Sequence, residues 1–335
     1  MPFEDIPLND GNKIPAIAYG SGSVNKGKDI HSYIEQAIEV GFSHLDTAQW
    51  YENEESVGKA IRESGLERSQ LYVTTKYSYG HVPLRESLNA SLQKLGLKQL
   101  DLYLIHSPRS VTNYVEAWKE LVEIRKEGLA KFVFLVPPSA RASQRGPFLF
   151  VYYRSIGVSN FTIPELETLR AHSKVLPAVN QIRLHPYNIK ENRALLAYHA
   201  RHGIVTEAYG SLAPITQFPG GPVDKPLNEA AKRLGATRAQ VIFLWLRAKG
   251  AVIVTTSSKK ERMEEYIAAG DLPPLTPEEV EAIDEAGAKG PPSRAIAIRD
   301  IVRFAAQALI TIAVVHFVIG KGQAWHASRQ GAFIV

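Results

Sequence analysis

The sequence predicts an α/β fold closed as a (β/α)8 barrel, the TIM-barrel architecture, in a single domain, and three observations carry that expectation. Short apolar runs alternate with amphipathic helical stretches along most of the 335 residues, which is the pattern of strand and helix units around a parallel sheet. Eight such runs can be counted, the number that closes a barrel. The alternative, an open doubly wound sheet, needs a glycine-rich phosphate loop after its first strand, and SGSVNKG at 21–27 lacks that spacing.

Taken in order, the runs are 16–19, 43–46, 72–76, 100–106, 156–159, 179–182, 204–208 and 252–256. Ahead of them, LNDGNKIP carries Asp10-Gly11 between two short extended stretches, which reads as an N-terminal β-hairpin covering the bottom of the barrel. Between runs the apolar positions follow helical spacing. Leu88, Leu92, Leu95 and Leu97 in SLNASLQKLGL are an example, with Gly96 placed to end the helix. The barrel domain is expected over 1–290.

Two stretches interrupt this rhythm. Residues 132–154 separate EGLAK from SIGVSNF, although a helix-to-strand connection normally takes a few residues. They read as an insertion, either a surface loop or translated intron. Residues 291–335 form a tail whose segment 301–320, IVRFAAQALITIAVVHFVIG, is nearly free of charge. That length borders on what spans a bilayer, so the segment is read either as a membrane tail anchor or as a hydrophobic helix packed on the barrel.

Composition narrows the function. With no cysteine there is no disulfide, thiolate nucleophile or thiolate metal site. The N-terminus lacks the basic start and apolar core of a signal peptide, and the expected location is cytoplasmic. The net charge is +5, but Lys and Arg are interspersed with nearly as many acids, so no nucleic-acid partner is expected.

Working residues of a parallel barrel project from the C-terminal ends of its strands. There the sequence offers Asp46, Lys76 and His106 at the ends of the second, third and fourth runs, with Tyr51 in the loop after Asp46. A phenol is a poor acid at neutral pH. A neighbouring Lys76 ammonium, held by Asp46, is expected to lower the pKa of Tyr51, and His106 to hydrogen-bond a carbonyl oxygen. This set can protonate a ketone or aldehyde without a metal.

The segments GFSHLDTAQWYENEESVGKAI, VTTKYS, LGLKQLDLYLIHSP, EGLAK, SIGVSNF, VNQIRLHPY, AYGSLAP and VTTSSKKER, in that order, resemble the aldo-keto reductases. The resemblance covers most of residues 7–290 and implies an NADP(H)-dependent carbonyl reductase with Asp46, Tyr51, Lys76 and His106 as its catalytic tetrad. It further implies that Ser159, Asn160 and Gln181 bind the nicotinamide carboxamide and that Tyr209 stacks on its ring. Ser211 and Leu212 would touch the pyrophosphate, Ser257 and Arg262 the 2′-phosphate, and Glu265 the adenine, with Ser21 and Thr256 completing the cofactor set. Ser258 and Glu261 have capping-box spacing for the helix that begins there.

Three positions depart from the family pattern: Thr256 stands where many members have Lys, Tyr266 where many have Asn, and Gly22 where many have Trp. The first two leave NADH as a second cofactor, and the third widens the substrate pocket, which Gly22, Trp50, Tyr77 and Pro108 are expected to border. Dicarbonyls, keto esters and keto amides are the small carbonyl substrates that suit such a pocket. A monomer is the family's usual state, and the alternative reading is a cofactor-bound regulatory or docking subunit with little turnover.

Overall fold

The computed structural model describes residues 3–133 and 153–292. Among the described residues there are ten strands: β1 (Ile6–Pro7), β2 (Lys13–Ile14), β3 (Ile17–Gly20), β4 (His44–Asp46), β5 (Tyr72–Tyr77), β6 (Leu100–Ile105), β7 (Tyr153–Ser159), β8 (Val179–Arg183), β9 (Val205–Tyr209) and β10 (Val252–Thr255). β3 to β10 are parallel and close on themselves, β10 pairing with both β3 and β9. The expected barrel is therefore the observed one. Strand limits move by one or two residues at most, except that β7 begins three residues earlier.

β1 and β2 form the N-terminal hairpin, turning at Asp10-Gly11, where Gly11 has the positive φ (87°) that the turn requires. It is tied to the bottom of the barrel by Asn9 Nδ2 donating to Pro177 O (2.9 Å) and by an Arg125–Asp10 ion pair (3.2 Å). Leu8 and Ile14 thereby join Leu102, Leu104, Val179 and Val252 in an apolar cluster that plugs the lower interior.

The larger core lies between barrel and helices. Side chains alternate along each strand, so those not facing the interior meet the helical layer. Helix Leu84–Leu95 shows the local logic: Leu84, Leu88, Leu92 and Leu95 are buried on one face, and Gly96 ends it in the left-handed conformation (φ 66°). Each βα loop emerges at the C-terminal rim and positions the site.

The helix before β7 runs to Val133 and β7 starts at Tyr153. The expected insertion at 132–154 therefore lies almost wholly outside the described residues, and the hydrophobic segment 301–320 lies entirely outside them. Among the described residues, no helix is long and apolar enough to cross a membrane.

Candidate active site

Three strands deliver the core of the site. Asp46 is the last residue of β4, Lys76 the fifth of six in β5, and His106 follows β6. Tyr51 closes a 3-10 turn (Gln49–Tyr51) just beyond β4. That turn is clamped from several sides: Gln49 Oε1 accepts from Ser78 N (3.1 Å), Gln49 Nε2 donates to Ser87 O (2.9 Å), and Asn53 Nδ2 donates to Ser21 O (3.3 Å). With its neighbours fixed, the phenol has one place to go.

Lys76 is fully buried, and its Nζ donates to Asp46 Oδ1 (2.6 Å) and to Thr47 O (2.8 Å). Burial, the largest single influence, would push its pKa down, but the Asp46 carboxylate together with Tyr51 and Glu207 outweighs that and leaves it raised, so Lys76 is a cation at neutral pH. Its Nζ is 5.1 Å from the centre of the Tyr51 ring. The His106 ring stands edge-on to Tyr51, with centroids 5.5 Å apart, and its Nδ1 lies 2.7 Å from Ser78 Oγ.

Burial and then the Lys76 charge hold the pKa of His106 at about 3, so the imidazole is neutral. The expectation for Tyr51 needs correction. Its pKa is raised, not lowered, because burial outweighs the downward pull of Lys76, while Asp46 adds a smaller upward push. At neutral pH the group is a phenol throughout, and the ammonium acts on whatever negative charge develops there.

These groups open into a cavity of about 800 Å³ at the C-terminal rim, large enough for an extended ligand. Asp46, Tyr51 and His106 line it, with Gly22 and the 41% exposed Trp50 on one side. From the expected cofactor set, Ser159, Asn160, Gln181 and Tyr209 line one stretch of the wall, and Ser211, Leu212, Thr256 and Arg262 another. The Tyr209 hydroxyl donates to Asn160 Oδ1 (2.8 Å), and Asn160 adopts a left-handed backbone (φ 60°).

Other expected residues lie off the cavity. Ser21 is buried beneath it, its hydroxyl donating to Thr47 Oγ1 (2.9 Å). Ser257 Oγ accepts from Lys259 N (3.0 Å), and Glu265 Oε1 accepts from Thr237 Oγ1 (2.5 Å). Tyr77 follows the inward-facing Lys76, so strand alternation turns it toward the helices, where its hydroxyl donates to Val82 O (2.7 Å). Pro108, half-buried, is likewise not part of the wall. The expected Ser258–Glu261 capping box does not form: Lys259 occupies the cap of helix Lys260–Ala268 without a side-chain bond.

Sequence reasoning passed over two inward-facing residues, Arg183 and Glu207. Arg183 ends β8 and lines the cavity, its Nη2 donating to Gln217 Oε1 (2.9 Å). Among the described residues, neither Arg183 nor Arg262 has a carboxylate within ion-pair distance. Parity would have found both missed residues, since Arg183 stands two after Gln181 and Glu207 two before Tyr209.

A closed parallel barrel carrying an ammonium-backed phenol and a neutral imidazole at its C-terminal mouth is the framework of a barrel oxidoreductase. Comparison with known proteins defines it further: the aldo/keto reductase family model matches residues 16–135 and 153–288, and the chain belongs to that family. It is 36% identical to the methylglyoxal reductase DkgA of Escherichia coli K12, over 80% of this chain and 88% of that protein. It is 35% identical to the NAD/NADP-dependent indole-3-acetaldehyde reductase of Schizosaccharomyces pombe, over 77% and 86%. Among solved structures, the Bombyx mori aldo-keto reductase in complex with NADP superposes with a TM-score of 0.71 at 32% identity, covering 84% of this chain and 92% of that one.

Proposed function

We propose that this enzyme reduces small aldehydes and ketones to alcohols with NADP(H), and that Tyr51 delivers the proton. The observation that carries the reading is the buried Lys76–Asp46 pair beneath the phenol, which fixes a positive charge beside the atom that loses a proton. When bound, the reduced nicotinamide supplies the hydride to the carbonyl carbon.

The chain's own residues supply the rest. Tyr51 gives its proton to the carbonyl oxygen, and the phenolate that remains faces the Lys76 ammonium until water restores the proton. If Ser78 donates to Nδ1 of His106, the ring's own proton sits on Nε2, where it can hydrogen-bond the carbonyl oxygen and stabilise its growing charge. Trp50, edge-on to both Tyr51 and His106, covers the reacting centre with an apolar wall.

The cavity suits a dinucleotide phosphate. Among the described residues, two guanidinium groups without carboxylate partners, Arg183 and Arg262, leave it cationic, while the only acid on its wall, Asp46, is matched by Lys76. Arg262 would hold the 2′-phosphate, with Thr256 and Ser257 nearby in sequence, and Ser211 and Leu212 the pyrophosphate. Gln181 Nε2 donates to both Asp46 and Glu207, so its carbonyl oxygen is what it offers, beside Ser159 and Asn160, to a carboxamide. NADH is expected as the weaker alternative.

For the substrate, the opening at Gly22 and the Trp50 wall favour dicarbonyls, keto esters and keto amides. Methylglyoxal and an aryl acetaldehyde, named in the two relatives, are the first to try. Following NADPH absorbance across such a panel tests the proposal, with Tyr51→Phe expected to lose about 10²-fold to 10⁴-fold in kcat. Equal rates for the two proteins would remove Tyr51 from the reaction. Cofactor binding without turnover would favour a regulatory or docking subunit instead.

We also read residues 132–154 as an insertion, a reading supported by the family match, which stops at 135 and resumes at 153. A monomer is the proposed state in solution, checked by its sedimentation. Cell fractionation tests whether segment 301–320 anchors the protein to a membrane, and recovery wholly in the soluble fraction would rule that out.

A further inference from the structure

Deep in the barrel, beside the reacting groups, is an acid that no step above uses. Glu207 faces the interior from β9, level with Gln181 on β8, and is fully buried. Its Oε2 accepts from Gln181 Nε2 at 3.0 Å, and the same nitrogen donates to Asp46 Oδ2 at 2.9 Å. The other oxygen of Asp46 holds Lys76, so a continuous chain of contacts links Glu207 through Gln181 and Asp46 to the ammonium under Tyr51.

The groups facing Glu207 offer it no cation of its own. His44 on β4 brings Nε2 to 3.8 Å from Oε1, but that ring lies 2.9 Å from Thr74 Oγ1 and is neutral, its pKa held at about 3 by burial and by the Lys76 charge. Tyr72 on β5 is pushed well above its ordinary value by burial and by Glu207 itself, and stays a phenol. Lys76 is committed to Asp46. Burial and the Asp46 charge accordingly hold Glu207 at about 8, where it keeps its proton at neutral pH.

We propose that Glu207 is a positioning residue for the proton donor, a neutral acid whose loss of a proton places a second anion against Lys76 and tightens the hold on the Tyr51 proton. The inference deepens the reading of Tyr51 as acid and rests on it for its consequence in turnover. In the neutral form one buried anion, Asp46, faces one cation. In the ionised form two anions share that cation, and Glu207 raises the proton affinity of Lys76. The ammonium then offsets less of the charge on a Tyr51 phenolate. Alcohol oxidation, which starts from the phenolate, is held back as pH rises, and carbonyl reduction less so.

Glu207→Gln keeps the shape, and Glu207→Leu removes the hydrogen bond as well. Both remove the charge. The direct readout is ultraviolet difference titration of the Tyr51 phenolate between pH 7 and 11 in the full chain, with Tyr51→Phe as the blank. In both variants the phenolate should form at lower pH, with its fraction below the midpoint raised on the order of threefold or more. NADP-dependent alcohol oxidation at pH 9 should rise by a similar factor relative to its value at pH 6.5. An unchanged Tyr51 titration in folded Glu207→Gln overturns the proposal, as does a change confined to Glu207→Leu, which would mark a packing role only. The titration needs no substrate, so a protein without carbonyl turnover but with the shifted phenolate would defeat the proposed activity and leave the positioning role standing.

Discussion

Replacing Lys76 with Met tests the charge pair on which the site is built through stability, before any question of activity arises. Lys76 and Asp46 are 0% and 2% exposed, and their 2.6 Å contact excludes water. At an effective dielectric near 20, their attraction is roughly 6 kcal/mol, most of it spent in offsetting the desolvation of both ions. Lys76→Met removes the attraction but leaves Asp46 buried, with Gln181 Nε2 as its remaining side-chain donor. A stranded buried charge of this kind costs about 3–5 kcal/mol, which lowers the melting temperature of a barrel this size by ~10 °C. In Lys76→Met/Asp46→Asn the stranded charge is gone, and at least half of the loss should return. Urea unfolding of the four proteins gives the cycle directly. Should Lys76→Met unfold within about 1 kcal/mol of the parent, or the double variant be no more stable than the single, the buried pair drawn here does not exist.

Three further outcomes follow from the same geometry. Arg262→Ala should weaken NADPH binding by about 10-fold to 100-fold and leave NADH binding nearly unchanged, as read by quenching of tryptophan fluorescence; equal losses for both would take Arg262 off the 2′-phosphate. His44 and His106 are held at about 3, below their ordinary 6.5, so the unfolded chain binds more protons and stability falls as pH drops from 6.5 toward 3. His106→Gln should show a shallower acid-side loss, and the parent's kcat should show no His106 inflection near pH 6.5. Glu207, held at about 8 against an ordinary 4.5, has the opposite sign: the fold binds the extra proton, and stability drains away between pH 4.5 and 8 by a few kcal/mol. The melting temperature of Glu207→Gln should therefore gain on the parent across that window and run parallel to it above; a constant difference would contradict the buried acid.

The fold was legible because the barrel repeats one rule eight times. A run such as VTTKYS or YLIHSP is bounded by charge or turn residues, so its place in a strand hardly depends on what surrounds it. The four proposed catalytic residues were legible for the same reason, since each stands at or just after a strand end. What escaped depended on parity and on burial. Lys76 facing inward requires Tyr77 to face outward, a conclusion open to the sequence and missed by treating both as rim residues. Glu207 was absorbed into the apolar run 204–208, where one acid among Ile, Val and Ala was the signal. The capping box failed by a single residue, because the helix starts at Lys260 and puts Lys259 rather than Ser258 at its cap. The direction of the Tyr51 shift could not be read at all, since it is decided by how deeply the ring is enclosed and not by which charges are adjacent.

Why the barrel tolerates so polar an interior follows from where its apolar contacts lie. The lower interior is sealed by Leu8, Ile14 and the leucines of β6, while the main core sits outside the strands, against the helices. The upper interior is thereby free of the burden of holding the fold together, and is filled by Asp46, Lys76, Gln181, Glu207 and His44, each buried and four of them ionisable. Such a layer costs free energy in any protein, and it is bearable here only while its net charge stays near zero. That condition explains both the neutral state of His44 and the proton kept by Glu207: with one lysine available, the layer has room for one carboxylate. The same constraint makes the Tyr51 proton responsive, because the Lys76 charge can be shared among very few partners, and any change in their number reaches the phenol.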